Sequence, residues 1–274
     1  MSSSPISMLV SDVDGTLLDE NKNITPRARQ GVEKIRARSA RMTLISGRPP
    51  RGMSTIINTL AISEPVAALN GSLIVWPNLS ILQAVTMDAT TVSAVARVIL
   101  EYGLELWLYT LTDWFVSDLH SPRVAHEISV AHGTPQLIPT HGPFPDGVAK
   151  VLGVSGDHPL VEKCEHAVLA QFVGKLSASR SQPHYLDITA PHADKGTGLQ
   201  NLARLARVPL SQIAVIGDGP NDIPMFQLAG LSIAMGNAAA DVQRHAGFVA
   251  PKNSADGFAA AVDEVILPRM NSVH

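Results

Sequence analysis

The sequence Met8-Leu9-Val10-Ser11-Asp12-Val13-Asp14-Gly15-Thr16 decides the fold of the chain. Its apolar start is typical of a buried strand, and Gly15 interrupts the pattern where a strand would give way to a loop. Because side chains two positions apart on an extended chain point to the same side, Asp12 and Asp14 would face one ligand. A divalent cation would relieve their repulsion, or one carboxyl would hold a proton and serve as an acid. A plainer alternative is that Asp14-Gly15 marks only a turn between strands.

Composition and charge exclude several classes of protein. The 274 residues include 21 Lys and Arg against 24 Asp and Glu, for a formal net charge of −3, without the basic tract that favours nucleic acid or a membrane surface. Cys164 is the only cysteine, which rules out an internal disulfide and fits a reducing cytosol. No signal peptide and no apolar run long enough to span a bilayer is present. We therefore expect a cytoplasmic protein whose partners are neither nucleic acids nor membranes.

The first third of the chain alternates strands with helices. Two further apolar runs, Met42-Thr43-Leu44-Ile45 and Val66-Ala67-Ala68-Leu69, are separated from the first strand and from each other by segments with helical spacing. This order predicts an α/β fold with a doubly wound, Rossmann-like parallel sheet. Ligands of such sheets bind at the carboxyl ends of the strands, which is where Asp12, Ser46 and Asn70 fall.

The middle of the chain has a different character. Apolar and polar residues alternate over 104–109, a pattern typical of a half-exposed antiparallel strand, and all Trp and Tyr residues lie between Trp76 and Tyr185. We interpret this region as an inserted α/β cap domain at 86–188. The catalytic core would then consist of 1–85 and 189–274.

After the insertion the first pattern returns. Lys195-Gly196 opens a predicted helix, and the apolar strand Ile213-Ala214-Val215-Ile216 leads into Gly217-Asp218-Gly219-Pro220-Asn221-Asp222. In a parallel sheet these groups converge with the first two aspartates and Ser46. Carboxylates, a lysine and a hydroxyl suit Mg²⁺ and a phosphoryl group, because phosphoryl transfer needs mainly positioning and charge neutralisation. An aspartate can also attack phosphorus and form a covalent intermediate.

Four segments resemble, in order, the motifs of the haloacid-dehalogenase superfamily: Asp12-Val13-Asp14-Gly15-Thr16-Leu17-Leu18, Ser46-Gly47-Arg48, Lys195-Gly196 and Gly217-Asp218-Gly219-Pro220-Asn221-Asp222-Ile223-Pro224-Met225. The insertion after the second motif is similar to that of the Cof-type sugar-phosphate phosphatases, as are Asn70-Gly71 and Ala234-Met235-Gly236-Asn237-Ala238. The resemblance implies a Mg²⁺-dependent phosphatase that hydrolyses small phosphorylated metabolites, with sugar phosphates expected, through an aspartyl-phosphate.

The resemblance also assigns catalytic and metal-binding roles. Asp12 would be the nucleophile, and Asp14 would protonate the leaving oxygen and then activate the hydrolytic water. The carboxylate of Asp12, the main-chain carbonyl of Asp14 and Asp218 would hold Mg²⁺, and Asp222 would bind it directly or through water.

A second group of residues would bind the phosphoryl group. The resemblance implies that Ser46 and Lys195 hold its oxygens, that Lys195 also offsets the charge of the nucleophile, and that Asn221 supports this lysine. Gly47 leaves backbone N–H groups free to approach the phosphate. Asn70 is first a turn residue and second a phosphate contact.

Several alternatives stay open. Arg48 is a candidate for substrate binding or for a surface ion pair. A phosphomutase would return the phosphoryl group to a sugar, whereas a phospho-acceptor module or a sugar-phosphate binding protein would not turn over. The sequence leaves open the physiological substrate, the cap residues that select it and the oligomeric state.

Overall fold

The structure, a computed structural model, describes residues 5–131, 133–138 and 143–271. Its strands, numbered in chain order, are β1 (Met8–Ser11), β2 (Arg41–Leu44), β3 (Val66–Ala68), β4 (Leu73–Val75), β5 (Ile81–Ala84), β6 (Glu105–Tyr109), β7 (Trp114–Val116), β8 (Gln136–Leu137), β9 (Lys150–Val154), β10 (Ser177–Gln182), β11 (Tyr185–Thr189), β12 (Ile213–Gly217), β13 (Leu231–Ala234) and β14 (Phe248–Val249). Its helices are α1 (Pro26–Ala37), α2 (Pro50–Thr59), α3 (Ala89–Glu101), α4 (Pro122–Ala131), α5 (His158–Gln171), α6 (Lys195–Ala206), α7 (Ile223–Phe226), α8 (Ala240–Arg244) and α9 (Gly257–Ala261).

A five-stranded parallel sheet forms the core, in the order β14-β13-β12-β1-β2. Every residue of β1 and β12 is buried, as expected for strands that are covered by helices on both faces. The predicted α/β class with a parallel sheet is therefore confirmed. Strand β14 at the sheet edge is a two-residue strand that the sequence pattern did not predict.

The strand at 66–68 differs from the prediction in its partners. It pairs antiparallel with β4, which pairs with β5, and it touches the parallel sheet through a single parallel bridge between Ile45 and Ala67. The turn after it has left-handed φ values of 58° at Asn70 and 96° at Gly71. A Cβ on Gly71 would lie 2.6 Å from the carbonyl oxygen of Asp194, so only glycine lets this turn pack against the start of α6.

Side-chain caps set the starts of two core helices. Thr25 accepts a hydrogen bond from the N–H of Ala28 at 3.1 Å, and Asp194 accepts one from the N–H of Thr197 at 2.8 Å. Thr25 followed by Pro26 is a sequence pattern that predicts the first of these caps. The second cap places Lys195 at the first position of α6, next to the carboxyl end of β1.

The cap contains a six-stranded sheet in the order β10-β11-β9-β6-β7-β8, antiparallel except for β7 and β8. Helices α3 and α5 cover one face, where Leu106 and Leu108 pack. Trp107 and Tyr109 point to the other face, which packs against the core. Strand β6 is therefore buried on both faces. The prediction of a half-exposed strand, which was based on the alternation of apolar and polar residues, is wrong. The boundaries 86–188 of the insertion stay a prediction.

Two further predictions concern the loop at 132–147 and the last helix of the chain. The sequence over 132–147 is dense in Pro, Gly and His and predicts a loop, which lies partly outside the described residues, and the part that is described includes β8. The sequence also predicts a final helix from about Asp256 to Leu267, and this segment is helical but changes type, because α9 continues into the wider turn Val262–Ile266 and the tighter turn Leu267–Arg269. Among the described residues, none of the helices has the length and apolar character needed to cross a membrane.

Candidate active site

Asp12 begins the site at the residue that follows β1, and its side chain is almost fully buried. The chain then bends sharply, with a φ of 76° at Gly15. A Cβ on Gly15 would lie 2.2 Å from Oδ2 of Asp218, so the absence of a side chain is required here. The first motif therefore brings a carboxylate from β1 against the loop that follows β12.

A buried lysine joins two of the aspartates. Nζ of Lys195 lies 2.6 Å from Oδ1 of Asp12 and 2.7 Å from Oδ1 of Asp222. The other oxygen of Asp222 accepts hydrogen bonds from the backbone N–H groups of Asp218, at 2.9 Å, and Gly219, at 2.8 Å. Asp222 thus uses both oxygens inside the protein, where it orients the lysine and shapes the loop.

Two side chains orient the carboxylate of Asp218. The hydroxyl of Thr16 donates to Oδ1 at 3.1 Å, and Nδ2 of Asn237 donates to Oδ2 at 3.1 Å. Asn237 also donates to the carbonyl oxygen of Gly15 at 2.9 Å. The segment that contains Asn237 was part of the family resemblance, but it received no role from the sequence.

Oxygens of Asp12, Asp218 and Asp222 lie within 4.8 Å of one another, a grouping that suits a metal ion. Burial and the neighbouring carboxylates raise the pKa of Asp12 to about 6, although Lys195 opposes this, and they raise the pKa of Asp218 well above its usual range. Burial alone would lower the pKa of Lys195, but Asp12 and Asp222 raise it. Three carboxylates against one lysine leave an excess of negative charge, so these residues fit a divalent cation.

The predicted phosphate-binding residues lie together on another side of the site. The buried hydroxyl of Ser46 accepts a hydrogen bond from the N–H of Arg48 at 3.1 Å, and the Ser46 carbonyl accepts one from the N–H of Asn70 at 2.9 Å. Nδ2 of Asn221 donates to Oδ1 of Asn70 at 3.0 Å. A Cβ on Gly47 would come within 3.3 Å of the same Asn70 oxygen. The turn at Asn70 thereby links the second and fourth motifs.

Asp14 lies apart from the cluster of three carboxylates. Its side chain forms two hydrogen bonds with Arg48, at 2.6 and 2.7 Å, and one with Lys22 at 2.8 Å. Burial would raise its pKa, but the hydrogen bonds and charges of Arg48 and Lys22 dominate and lower it to about 2. Arg48 is only 10% exposed, so its ion pair is partly buried and not the surface pair considered from the sequence.

The cap contributes a second set of polar groups to the same cavity. Nζ of Lys150 lies 2.8 Å from Oδ1 of Asp187 and donates to the carbonyl oxygen of Gly47 at 2.8 Å. The hydroxyls of Tyr109 and Tyr185 contact the carboxylate of Glu127. Lys150 therefore connects the cap directly to the predicted phosphate-binding turn at Ser46 and Gly47.

One cavity collects most of the predicted site. It is lined by seven of the nine predicted residues: Asp12, Asp14, Ser46, Gly47, Lys195, Asp218 and Asn221. Asn70 and Asp222 lie behind this lining and hold its members in place. Sequence reasoning missed several neighbours: Thr16, Lys22, Glu127, Lys150 and Asn237. Thr16 and Asn237 stood inside quoted motifs, whereas the others carry no local sequence signal.

The fold and the site together define an α/β protein with an inserted cap and an acidic centre at the carboxyl end of a parallel sheet. Comparison with known families agrees, because the family model for haloacid dehalogenase-like hydrolases matches residues 9–262. The chain belongs to this family. The predicted family and the predicted hydrolytic enzyme class are therefore confirmed.

Relatives in bacteria and solved structures are similar to this chain over nearly its whole length. The 5-amino-6-(5-phospho-D-ribitylamino)uracil phosphatase YwtE of Bacillus subtilis is 25% identical over 280 residues, covering 93% of this chain and 96% of that protein. A haloacid dehalogenase-like hydrolase from Bacteroides thetaiotaomicron has a TM-score of 0.79 and 26% identity, covering 95% of this chain and 99% of that one. BT1666 from the same organism, solved in a study of phosphatases of this superfamily, has a TM-score of 0.79 and 27% identity, with 96% of each chain covered.

Proposed function

We propose that the protein is a Mg²⁺-dependent phosphatase of small phosphorylated metabolites, sugar phosphates among them, that works through an aspartyl-phosphate on Asp12. The observation that carries the proposal is the contact of 2.6 Å between Lys195 and Asp12 inside the cluster of buried carboxylates. A lysine at this distance stabilises the ionised, nucleophilic form of the aspartate. The named phosphatase YwtE supports the same reaction.

The proposed reaction has two steps. A carboxylate oxygen of Asp12 attacks phosphorus, a new O–P bond forms, and the bond from phosphorus to the leaving oxygen breaks with transfer of a proton to that oxygen. A water molecule then loses a proton and attacks the phosphorus of the aspartyl-phosphate, which releases inorganic phosphate and restores Asp12. Lys195 offsets negative charge in both steps, because its ammonium group is held between two carboxylates.

The same cluster would hold the metal. Asp12, Asp218 and the main-chain carbonyl of Asp14 are the proposed ligands. Asp222 would support the metal site indirectly, since both of its oxygens already accept hydrogen bonds from the protein. When bound, Mg²⁺ supplies positive charge that neutralises the phosphoryl oxygens. Without it the three carboxylates are only partly balanced by the lysine.

Asp14 is proposed as the acid and base of the two steps. Its pKa of about 2 means that it is ionised at neutral pH in the described arrangement, which is the protonation state that a base needs, but it is a weak base as long as Arg48 and Lys22 contact it. Its role as acid requires the hydrogen bonds from Arg48 and Lys22 to loosen when the phosphorylated substrate binds. The raised pKa that would follow is the ordinary effect of burial without a partner.

The remaining predicted residues would hold the phosphoryl group, and the cap would hold the rest of the substrate. The turn at Ser46 and Gly47, supported by Asn70 and Asn221, offers a hydroxyl and backbone N–H groups to phosphoryl oxygens. Residues of the cap line the cavity opposite the core, and this cover favours small substrates over phosphorylated proteins. The compound in the name of YwtE contains a phosphorylated ribityl chain, which is a polyhydroxy group of this kind.

The test is phosphate release from a panel of phosphorylated metabolites, with Mg²⁺ and with EDTA. We expect release that EDTA abolishes, and a loss of at least about 10³-fold in kcat for Asp12→Asn, because the amide cannot attack phosphorus. Asp263→Asn, which alters a surface ion pair with Lys34, is the matched control. Full activity of the Asp12 variant would overturn the proposal, and isomerised sugar phosphate without free phosphate would identify a phosphomutase instead.

A further inference from the structure

Glu127 of helix α4 lines the same cavity as Asp14 and Arg48, but it belongs to the cap. Its carboxylate contacts two phenols, with Oε1 lying 3.3 Å from the hydroxyl of Tyr109 and Oε2 lying 3.2 Å from that of Tyr185. Both distances are long for O–H···O hydrogen bonds, which cluster near about 2.7–2.8 Å. Substrate hydroxyls can therefore compete for, or bridge, these three groups.

The two tyrosines are held in place by neighbouring aromatic rings. The ring of Tyr109 stacks on Trp114 with centroids 5.8 Å apart, and that of Tyr185 lies 5.8 Å from Trp107. Each hydroxyl can donate one hydrogen bond and accept others, whereas an ionised Glu127 only accepts. Together they present acceptors and reorientable hydroxyls on a rigid frame, which is the pattern that complements a chain of alcohol groups.

Cations that could bind a second anionic group of a substrate are already paired. Each Lys or Arg that lines this cavity, among the described residues, has a carboxylate oxygen within 2.8 Å: Lys22, Arg48, Lys150 and Lys195. Burial raises the pKa of Glu127, while Lys150 and the two tyrosine hydroxyls oppose this, and the charge of Asp14 adds to the increase. No Lys or Arg among the described residues forms an ion pair with Glu127 itself, so the cap end of the cavity holds a carboxyl that is contacted by two phenols and by no lysine or arginine.

We propose that Glu127, with the hydroxyls of Tyr109 and Tyr185, receives the leaving group of the substrate and selects an uncharged polyhydroxy compound over one that bears a second anionic group. This inference rests on the proposed function and specifies its substrate class. Alcohol groups donate to the carboxylate, whereas a carboxylate or second phosphate at this end meets the like charge of Glu127. Phosphorylated polyols and sugars fit, and phosphoglycolate and bisphosphates do not.

The test uses two substrates that differ only far from the phosphate. Glucitol 6-phosphate and 6-phosphogluconate are both open chains that share the phosphorylated end and differ only at the first carbon, which bears an alcohol in the first compound and is a carboxylate in the second. We expect kcat/KM to favour glucitol 6-phosphate by at least about tenfold, and Glu127→Gln to reduce this ratio about tenfold, since it replaces a charge-assisted acceptor with a neutral amide. Because both rates come from one preparation, the ratio is insensitive to any misfolded fraction.

A second variant and a control make the result specific. Tyr185→Phe keeps the ring and removes one hydroxyl, so we expect a reduction of the same ratio by about threefold. Glu162→Gln removes a cap carboxylate that is paired with Arg180 and 49% exposed on the outer helix α5, and should leave the ratio unchanged. An unchanged ratio in both the Glu127 and Tyr185 variants would overturn the inference, as would a preference of the unaltered protein for 6-phosphogluconate.

The unaltered protein with p-nitrophenyl phosphate separates this inference from the proposed function. Hydrolysis of this compound together with no preference for glucitol 6-phosphate would overturn the selection by Glu127 and leave the phosphatase reaction standing. No phosphate release from any of the three compounds in Mg²⁺ would overturn the proposed function itself.

Discussion

Lys195 and Asp12 form a buried ion pair of 2.6 Å across 183 positions of sequence. The lysine begins α6, after the cap, whereas the aspartate follows the first strand of the core. Their contact therefore forms only when the two parts of the core on either side of the cap have come together. Because Asp222 is its second partner, the lysine offsets part of the negative charge of both carboxylates.

The first prediction concerns the loss of this lysine. Lys195→Met leaves two buried carboxylates without their partner, and we expect the free energy of unfolding in EDTA to fall by about 3–5 kcal/mol. Mg²⁺ should restore part of the loss, because it supplies positive charge to the same carboxylates. Urea unfolding with EDTA and with Mg²⁺ measures both effects. Lys175→Met, at an exposed cap lysine, is the control, and an equal loss in that variant would contradict the prediction.

The second prediction separates metal binding from folding. Asp218 is crowded by Asp12 and Asp222, so Asp218→Asn relieves repulsion, and we expect stability in EDTA to be unchanged or raised by up to about 1 kcal/mol. The hydroxyl of Thr16 can turn to accept from the new amide. The unaltered protein should gain about 2.7 kcal/mol when Mg²⁺ is 100-fold above its dissociation constant, and the variant should gain little.

Thermal unfolding over a Mg²⁺ titration measures this difference. Asp241→Asn, at an exposed residue paired with Arg244, should keep the full response to Mg²⁺. A variant at Asp218 that retained the same Mg²⁺-dependent rise in Tm would show that the metal binds elsewhere.

The sequence was sufficient for the core because its signals are local. The buried strands β1, β2 and β12, and the start of α6 at Lys195, could be predicted from apolar runs and glycine breaks. The partners of strand 66–68 could not, since an apolar run of three residues fits a parallel or an antiparallel neighbour equally well. Strand β14 is too short and too exposed to leave a pattern.

For the site as well, residues in the motifs could be predicted from local sequence, whereas residues of the cap could not. Residues in the motifs could be placed at one sheet edge because parallel strands end together, and Asp12, Ser46 and Asp218 do line one cavity. The cap residues Glu127 and Lys150 could not be placed, because their approach to the core depends on how two sheets pack across a long insertion. The partnership of Asp14 with Arg48 depends on side-chain direction, which the sequence does not specify.

The third prediction is the pH dependence of the Asp14–Arg48 pair. The pKa of Asp14 is about 2 in the folded protein against a usual value of 3.8, so the pair stabilises the fold above about pH 4 and this stabilisation is lost as the pH falls through about 2. Arg48→Met should cost about 2 kcal/mol at pH 7, and the cost should shrink as the pH falls from about 4 towards 2. Urea unfolding of both proteins between pH 7 and pH 3 tests this, with the exposed neighbour Arg51→Met as control. A difference that stayed constant to pH 3 would contradict the pairing.

The fourth prediction concerns the connection between the cap and the phosphate-binding turn. Lys150 donates to the carbonyl oxygen of Gly47 and pairs with Asp187, both at 2.8 Å, while it is 5% exposed. Lys150→Met removes the contact with the turn, and we expect KM for phosphorylated substrates to rise about tenfold or more, because a charge-assisted hydrogen bond contributes about 1.5–3 kcal/mol. Hydrogen exchange should become faster in the turn at 46–48 as the cap loses its hold on it.

This single variant also leaves Asp187 buried without its cation, which by itself destabilises the cap. The double variant Lys150→Met/Asp187→Asn removes that charge and retains an acceptor for the hydroxyl of Ser181. If the contact with Gly47 holds the cap on the core, the double variant keeps the higher KM and the faster exchange while its stability recovers. A return of KM to the original value would instead assign the effect to the unpaired charge of Asp187, and the contact with the turn would have no part in substrate binding.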